Sequence, residues 1–221
     1  MSQRLLVWDV PTRVFHWLLV ISFTGAFLTA ESERNRDIHV VLGYTLLGLI
    51  LFRLVWGLIG TRYALFRSFW FKLSEIRAYV VSLIKAKPKH YVGHNPAGSV
   101  AVFALLTLGI ASSATGVVVF EDIGGDVLED IHNWVSYAML SIVGLHVAGV
   151  LVSSVMHREN LVRSMITGFK SVQPNQAISR THVWLGVIML VTVIAFWVGY
   201  PATGLVGGNS AATNTQQNNE D

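Results

Sequence analysis

The sequence predicts an all-α integral membrane protein, a bundle of four membrane-spanning helices joined by a fifth toward the C-terminus. Three observations carry this. Hydrophobic residues fill 52% of the 221 positions and charged residues only 13%. That charged share is about half the usual one for a soluble domain, and a water-soluble core of this size cannot hide so much apolar surface. Five stretches, 14–30, 39–60, 96–120, 131–156 and 181–208, are nearly free of Asp, Glu, Lys and Arg. Finally, 13 of the 16 Lys and Arg fall in alternate connecting segments. Cysteine is absent, which excludes disulfides, thiolate zinc sites, iron–sulfur clusters and a cysteine nucleophile.

The first stretch, 14–30, is only just long enough to cross a hydrocarbon core about 30 Å thick. Its Phe15, His16 and Trp17 are poor signal-peptide chemistry, so it reads as a retained helix. The second, 39–60, is interrupted only by Arg53. Between it and the third lies a basic segment, 61–95. Within its residues 67–87, Phe69, Trp70, Leu73, Ile76, Val80, Leu83 and Ile84 recur at helical spacing against Lys72, Arg77, Lys85 and Lys87. That pattern predicts a basic amphipathic helix lying on the membrane surface. The third stretch, 96–120, and the fourth, 131–156, flank an acidic loop. The fifth, 181–208, carries Gly199 and Pro201, which can end it early. The polar tail 209–221 reads as disordered. The expected organisation is a four-helix bundle over 1–170, a fifth helix within 171–208, and the tail.

Segments 1–13, 61–95 and 157–180 hold the 13 basic residues, whereas the opposite segments hold only Arg34 and Arg36 together with ten acids. The positive-inside rule then places the N-terminus in the cytoplasm and the C-terminus on the outer side of the membrane.

Eight histidines are present: His16, His39, His90, His94, His132, His146, His157 and His182. His16 lies near the inner end of its span and His39 near the outer end of the next. His132 and His146 share one helix; 14 residues rise about 21 Å and rotate to within about 40° of four full turns, so the two share a face at two depths. An ionisable side chain inside a bilayer is costly and faces the bundle for a purpose. The four depths match in pairs, His16 with His146 and His39 with His132. Two axial imidazoles at each level suit one haem iron, giving two b-type haems stacked across the membrane. Zinc would ask for three or four clustered ligands, and the lack of a CxxCH motif excludes covalent haem attachment. His90, His94 and His157 sit in or beside basic segments and read as solvated or headgroup-facing; His182 reads as interfacial. Gly43, Gly48, Gly144 and Gly149 admit a flat macrocycle or a neighbouring helix. Arg53 lies deep for a cation, and either a haem propionate or snorkelling to the inner interface answers its charge.

Several motifs resemble the bacterial cytochrome b561 family. They are Val7-Trp8-Asp9-Val10-Pro11-Thr12-Arg13, Phe15-His16-Trp17, Ile38-His39-Val40-Val41-Leu42-Gly43-Tyr44, Phe52-Arg53, Gly93-His94-Asn95-Pro96-Ala97-Gly98, Ile131-His132-Asn133-Trp134 and Leu145-His146-Val147. The branch they are most similar to is the b-type cytochrome subunit of nickel–iron hydrogenases, with its stand-alone relatives. The resemblance runs from about residue 5 to residue 170. It implies that His16 and His146 bind one haem b, that His39 and His132 bind the other, and that electrons pass between ubiquinone or menaquinone and a partner at the outer face. A periplasmic c-type cytochrome is one such partner, and the acidic outer loops suit its basic surface. Other readings are a superoxide:quinone oxidoreductase, a membrane anchor and electron-transfer subunit of a hydrogenase or dehydrogenase, and a metal-ion transporter.

Overall fold

The computed structural model describes residues 3–85 and 89–202. The elements are β1 (Gln3–Leu6), α1 (Val10–Thr29), α2 (Arg36–Ile59), α3 (Leu73–Ile84), α4 (Pro96–Phe120), α5 (Gly125–Met156), α6 (Leu161–Thr167), β2 (Phe169–Val172) and α7 (Val183–Ala202), with short 3-10 turns between some of them. Helices α1, α2, α4, α5 and α7 are long and apolar enough to cross a membrane, in agreement with the five stretches read from the sequence. The expected tail 209–221, residues 203–208 of the fifth stretch and Lys87 lie outside the described residues.

Helices α1, α2 and α5 start earlier than hydropathy predicts, and α1 and α5 do so for clear local reasons. Asp9 caps α1: its Oδ1 accepts the Thr12 N–H at 2.7 Å, and Pro11 sits in the first turn, where its missing N–H costs nothing. Helix α5 begins at Gly125 because Asp126, Glu129 and Asp130 suit a helix N-terminus. At 32 residues it is about 48 Å long and extends past the hydrocarbon. The start of α4 falls where the sequence puts it, with Asn95 accepting the Gly98 N–H at 2.7 Å ahead of Pro96.

Leu46 and Ile50 of α2, Leu106 of α4 and Met139 of α5 form the buried centre of the four-helix bundle, with Leu19 and Phe23 of α1 packed against it. Gly109 lets α2 and α4 close: a Cβ there would stand 2.6 Å from Ile50 Cδ1. Helix α7 docks on the outside, where Met189 and Val193 meet Phe15, Leu18 and Leu49. Its Trp197 indole donates to Thr45 Oγ1 at 2.9 Å.

One end of the bundle, the basic face, carries a cap that hydropathy did not foresee. Strands β1 and β2 pair antiparallel, Gln3 opposite Val172 and Leu6 opposite Phe169. Four-residue strands are too short to show a period-2 pattern and too small to stand alone. They persist because Val7, Trp8, Tyr63 and Val172 are buried together. Val7 and Trp8 N–H donate to Gly168 O, and Lys170 Nζ donates to Val92 O at 3.0 Å. The opposite end, the acidic face, holds the short 30–35 and 121–124 connections.

The amphipathic segment takes the form of α3. Leu73, Val80 and Ile84 stay exposed along it, whereas Tyr79 is buried. Phe69 departs from the expected stripe: it is fully buried and faces the bundle.

Candidate functional site

At the acidic-face half of the bundle, α2 and α5 bring His39 and His132 together, with ring centroids 6.1 Å apart and planes at 83°. An iron held by two imidazole nitrogens at about 2 Å each sets the centroids about 6 Å apart. Each ring is oriented through Nδ1. His39 Nδ1 lies 2.8 Å from Ala26 O of α1. That carbonyl lacks its helical N–H partner because the Ala30 N–H turns back to Phe27 O as α1 ends, and it also accepts from the Thr29 hydroxyl at 3.2 Å. His132 Nδ1 lies 3.0 Å from Ser112 O and 3.1 Å from Thr115 Oγ1, both on α4. A carbonyl oxygen only accepts, so Nδ1 of each ring carries the proton and the Nε2 lone pair is left for a ligand role. Gly116 makes room for this placement, since a Cβ there would stand 3.0 Å from His132 Cε1.

The two rings line an open cleft whose walls include Phe23, Phe27, Tyr44, Phe120 and Tyr137 with Gly43, Gly109 and Gly116. Nothing lies within 4 Å of a Cβ built on Gly43. Two neutral imidazoles at this separation, in an apolar aromatic cleft with a bare glycine wall, fit a haem.

At the basic-face half, His16 of α1 and His146 of α5 lie close enough to interact electrostatically. Here the rings are not tied down: His16 Nδ1 is buried without a hydrogen-bond partner. Arg53 does not snorkel. It is 3% exposed, with its guanidinium 4.8 Å from the Phe66 ring centroid and 5.9 Å from that of Phe69. Its Nη1 is buried and unpartnered. Asp9 supplies opposite charge nearby, but its carboxylate is already engaged by Thr12 N–H, Trp56 Nε1 and Thr61 Oγ1.

His94 departs from the solvated reading. It sits in the connection before α4 with its ring 4.4 Å from Phe69 and 5.0 Å from Trp8, centroid to centroid. Its Nδ1 is buried without a partner. Burial, followed by the charges of Arg53, His146, Lys170 and His16, pushes its pKa down to about 3. Position supplies a signal for this: His94 immediately precedes the Asn95 cap, where a residue often packs against the helix it introduces. His90 is exposed and His157 half-buried; their rings stand 5.3 Å apart beside Glu159, which also pairs with Lys170 at 3.2 Å. Burial first, then His90 and Lys170, lowers the His157 pKa against the pull of Glu159. His182 opens α7 with its ring 5.2 Å from Trp56. Among the described residues, no three or more His, Cys, Asp or Glu are grouped to hold a metal ion by themselves.

The model of the family described as prokaryotic cytochrome b561 matches residues 7–168, a span that includes both histidine pairs and Arg53 and stops before α7. The "Probable Ni/Fe-hydrogenase B-type cytochrome subunit" of Azotobacter vinelandii is 26% identical over 211 residues, covering 74% of this chain and 87% of the relative. The protein of that name in Rhodobacter capsulatus is 23% identical over 218 residues, covering 77% and 82%. The "Probable Ni/Fe-hydrogenase 1 B-type cytochrome subunit" of Escherichia coli (strain K12) is 24% identical over 214 residues, covering 75% and 90%. No solved structure matches the chain. With a multi-pass helical bundle, an aromatic-walled cleft between two histidines and a family match over most of its length, this chain belongs to the prokaryotic cytochrome b561 family, whose members are membrane b-type haem proteins of electron transport.

Proposed function

We propose that this chain is a di-haem membrane cytochrome passing electrons between the quinone pool and a redox partner at its acidic face. The observation that carries this is the His39–His132 pair, 6.1 Å apart with both Nδ1 atoms facing main-chain carbonyls and both Nε2 atoms available to one iron. His16 and His146 would hold a second haem about 21 Å further along α5. Haem b would supply a one-electron carrier, held at one level by His39 and His132 and at the other by His16 and His146.

The protein's own groups do the rest. The carbonyls of Ala26 and Ser112 select the tautomer and hold the ring planes. Phe23, Phe27, Tyr137 and the glycine wall give the cleft an aromatic and apolar lining. Arg53, buried with a free Nη1, meets a propionate at the basic face. Ubiquinone or menaquinone exchanges electrons near one end, and Glu121, Asp122, Asp126, Glu129 and Asp130 present a surface for a basic periplasmic protein such as a c-type cytochrome. The basic face lies in the cytoplasm of a bacterial inner membrane and the C-terminus in the periplasm. The relatives' names favour one enzymatic setting, electron-transfer subunit of a nickel–iron hydrogenase.

A pyridine haemochrome assay with protein quantitation tests the reading, and two haems per chain are expected. A reproducible value of one in fully loaded protein removes one pair. Co-purification of a hydrogenase large subunit from native membranes separates the hydrogenase setting from a stand-alone cytochrome. Protease added to intact spheroplasts should clip the tail; complete protection overturns the orientation.

A further inference from the structure

Two side chains at the basic-face half, Arg53 and His94, carry buried nitrogens that no acceptor of the chain reaches. Arg53 Nη1 and His94 Nδ1 are each buried without a partner, and both side chains pack on Phe69, Arg53 at 5.9 Å and His94 at 4.4 Å. His94 lies within electrostatic reach of Arg53, His16 and His146. Asp9, the carboxylate near this cluster, has its oxygens occupied by three other donors. A buried donor left without an acceptor keeps its desolvation cost uncompensated, so two together call for an anion from outside the chain. His94 is also held in place. Lys170 donates to Val92 O, Asn95 caps α4, and a Cβ on Gly93 would stand 2.8 Å from the Tyr63 ring. The ring therefore has little freedom to turn toward solvent.

We propose that His94 is a positioning residue which donates Nδ1–H to a carboxylate of the haem held by His16 and His146, closing with Arg53 an anion pocket under Trp8 and Phe69. The proposal rests on the basic-face haem of the preceding section. It assigns His94 a role distinct from the axial ligands: it touches the periphery of the group, not the iron. A donor on that carboxylate offsets negative charge near the iron and favours the ferrous state, so its loss shifts the couple toward ferric. It also explains why a histidine precedes the α4 cap where an apolar residue would pack equally well.

The test is a spectroelectrochemical titration of the full-length protein in lipid nanodiscs, following both haems in the wild type, His94→Leu and His94→Asn. Leucine keeps the packing without the donor; asparagine restores an N–H near the position of Nδ1. The expected result is a shift of the basic-face couple toward ferric by about tenfold in His94→Leu, ~59 mV for a one-electron couple. The shift should be largely reversed in His94→Asn, with the acidic-face couple unmoved. An unchanged basic-face potential in His94→Leu with both haems present overturns the proposal, as do equal shifts at both haems. If His94→Leu loses the haem or fails to accumulate, His94→Asn decides. Retention there with a near-wild-type potential supports the proposal, and loss there overturns it. His146→Ala is the control for the underlying reading: two haems remaining in that variant would show that the haem assignment has failed rather than the role of His94.

Discussion

The two histidine levels of this bundle are built on different principles. At the acidic face, His39 and His132 are oriented by hydrogen bonds to α1 and α4, so the rings are poised whether or not a cofactor lies between them. At the basic face, His16 Nδ1, His94 Nδ1 and Arg53 Nη1 are all buried and unpartnered, near a cap that includes β1, β2, Tyr63 and Val92. The first level is satisfied by helix backbone; the second is complete only when something else supplies acceptors. The difference suits the di-haem reading proposed above, because one level is set by packing within the bundle and the other borders the cap.

Removing a ligand should produce the largest effect and the clearest contrast. His132→Ala and His146→Ala are each expected to reduce haem from two per chain to one. Only the second should also make the 61–95 segment more sensitive to limited proteolysis, because Arg53 and His94 then lose their anion. Equal protease sensitivity in the two variants would erase the distinction between the levels. Next comes Asp9→Ala, which strands the Trp56 and Thr61 donors and leaves Arg53 without nearby negative charge. A loss of about 3 kcal/mol or more is expected, read as a lower unfolding midpoint in detergent, with the acidic-face haem spectrum retained.

A smaller change is expected for Gly116→Ala, whose Cβ would press on His132 at 3.0 Å. The low-spin electron paramagnetic resonance signal of the acidic-face haem should move and the other stay fixed; movement of both would mean that the two levels are mechanically coupled. The smallest change is expected for Trp197→Phe. It removes one hydrogen bond between α7 and α2, worth about 1 kcal/mol, and both haem spectra should be indistinguishable from wild type. A spectral change there would place α7 in the cofactor environment instead of outside it.

Much of the site's layout is legible from position along the chain. His132 and His146 share a face by arithmetic alone, and the third stretch begins at the residue where α4 starts, whereas α1 starts at Val10, ahead of the stretch that hydropathy marks. The errors have a common origin. His94 was read as solvated and Phe69 as part of a surface stripe because both lie in a basic, polar stretch. Each is covered by a residue from elsewhere in the chain, Trp8 over His94 and Arg53 over Phe69. The β1–β2 pairing joins residues about 165 positions apart, and no local pattern announces it.

The sequence by itself determined the number of spans, the opposition of a basic and an acidic face, and the depths of the four histidines. A bilayer makes these one-dimensional quantities: span length follows from a rise of about 1.5 Å per residue, and burial from hydropathy along the chain. Only the tertiary structure decided which carbonyl each imidazole meets, that Arg53 stays inside beside Phe66 and Phe69, that α7 leans on α1 and α2, and that His94 is drawn under the basic cap. Those outcomes are set by contacts between side chains and backbone groups on different helices, and hydrogen-bond geometry within a few tenths of an ångström has no signature in the order of residues along one strand of chain.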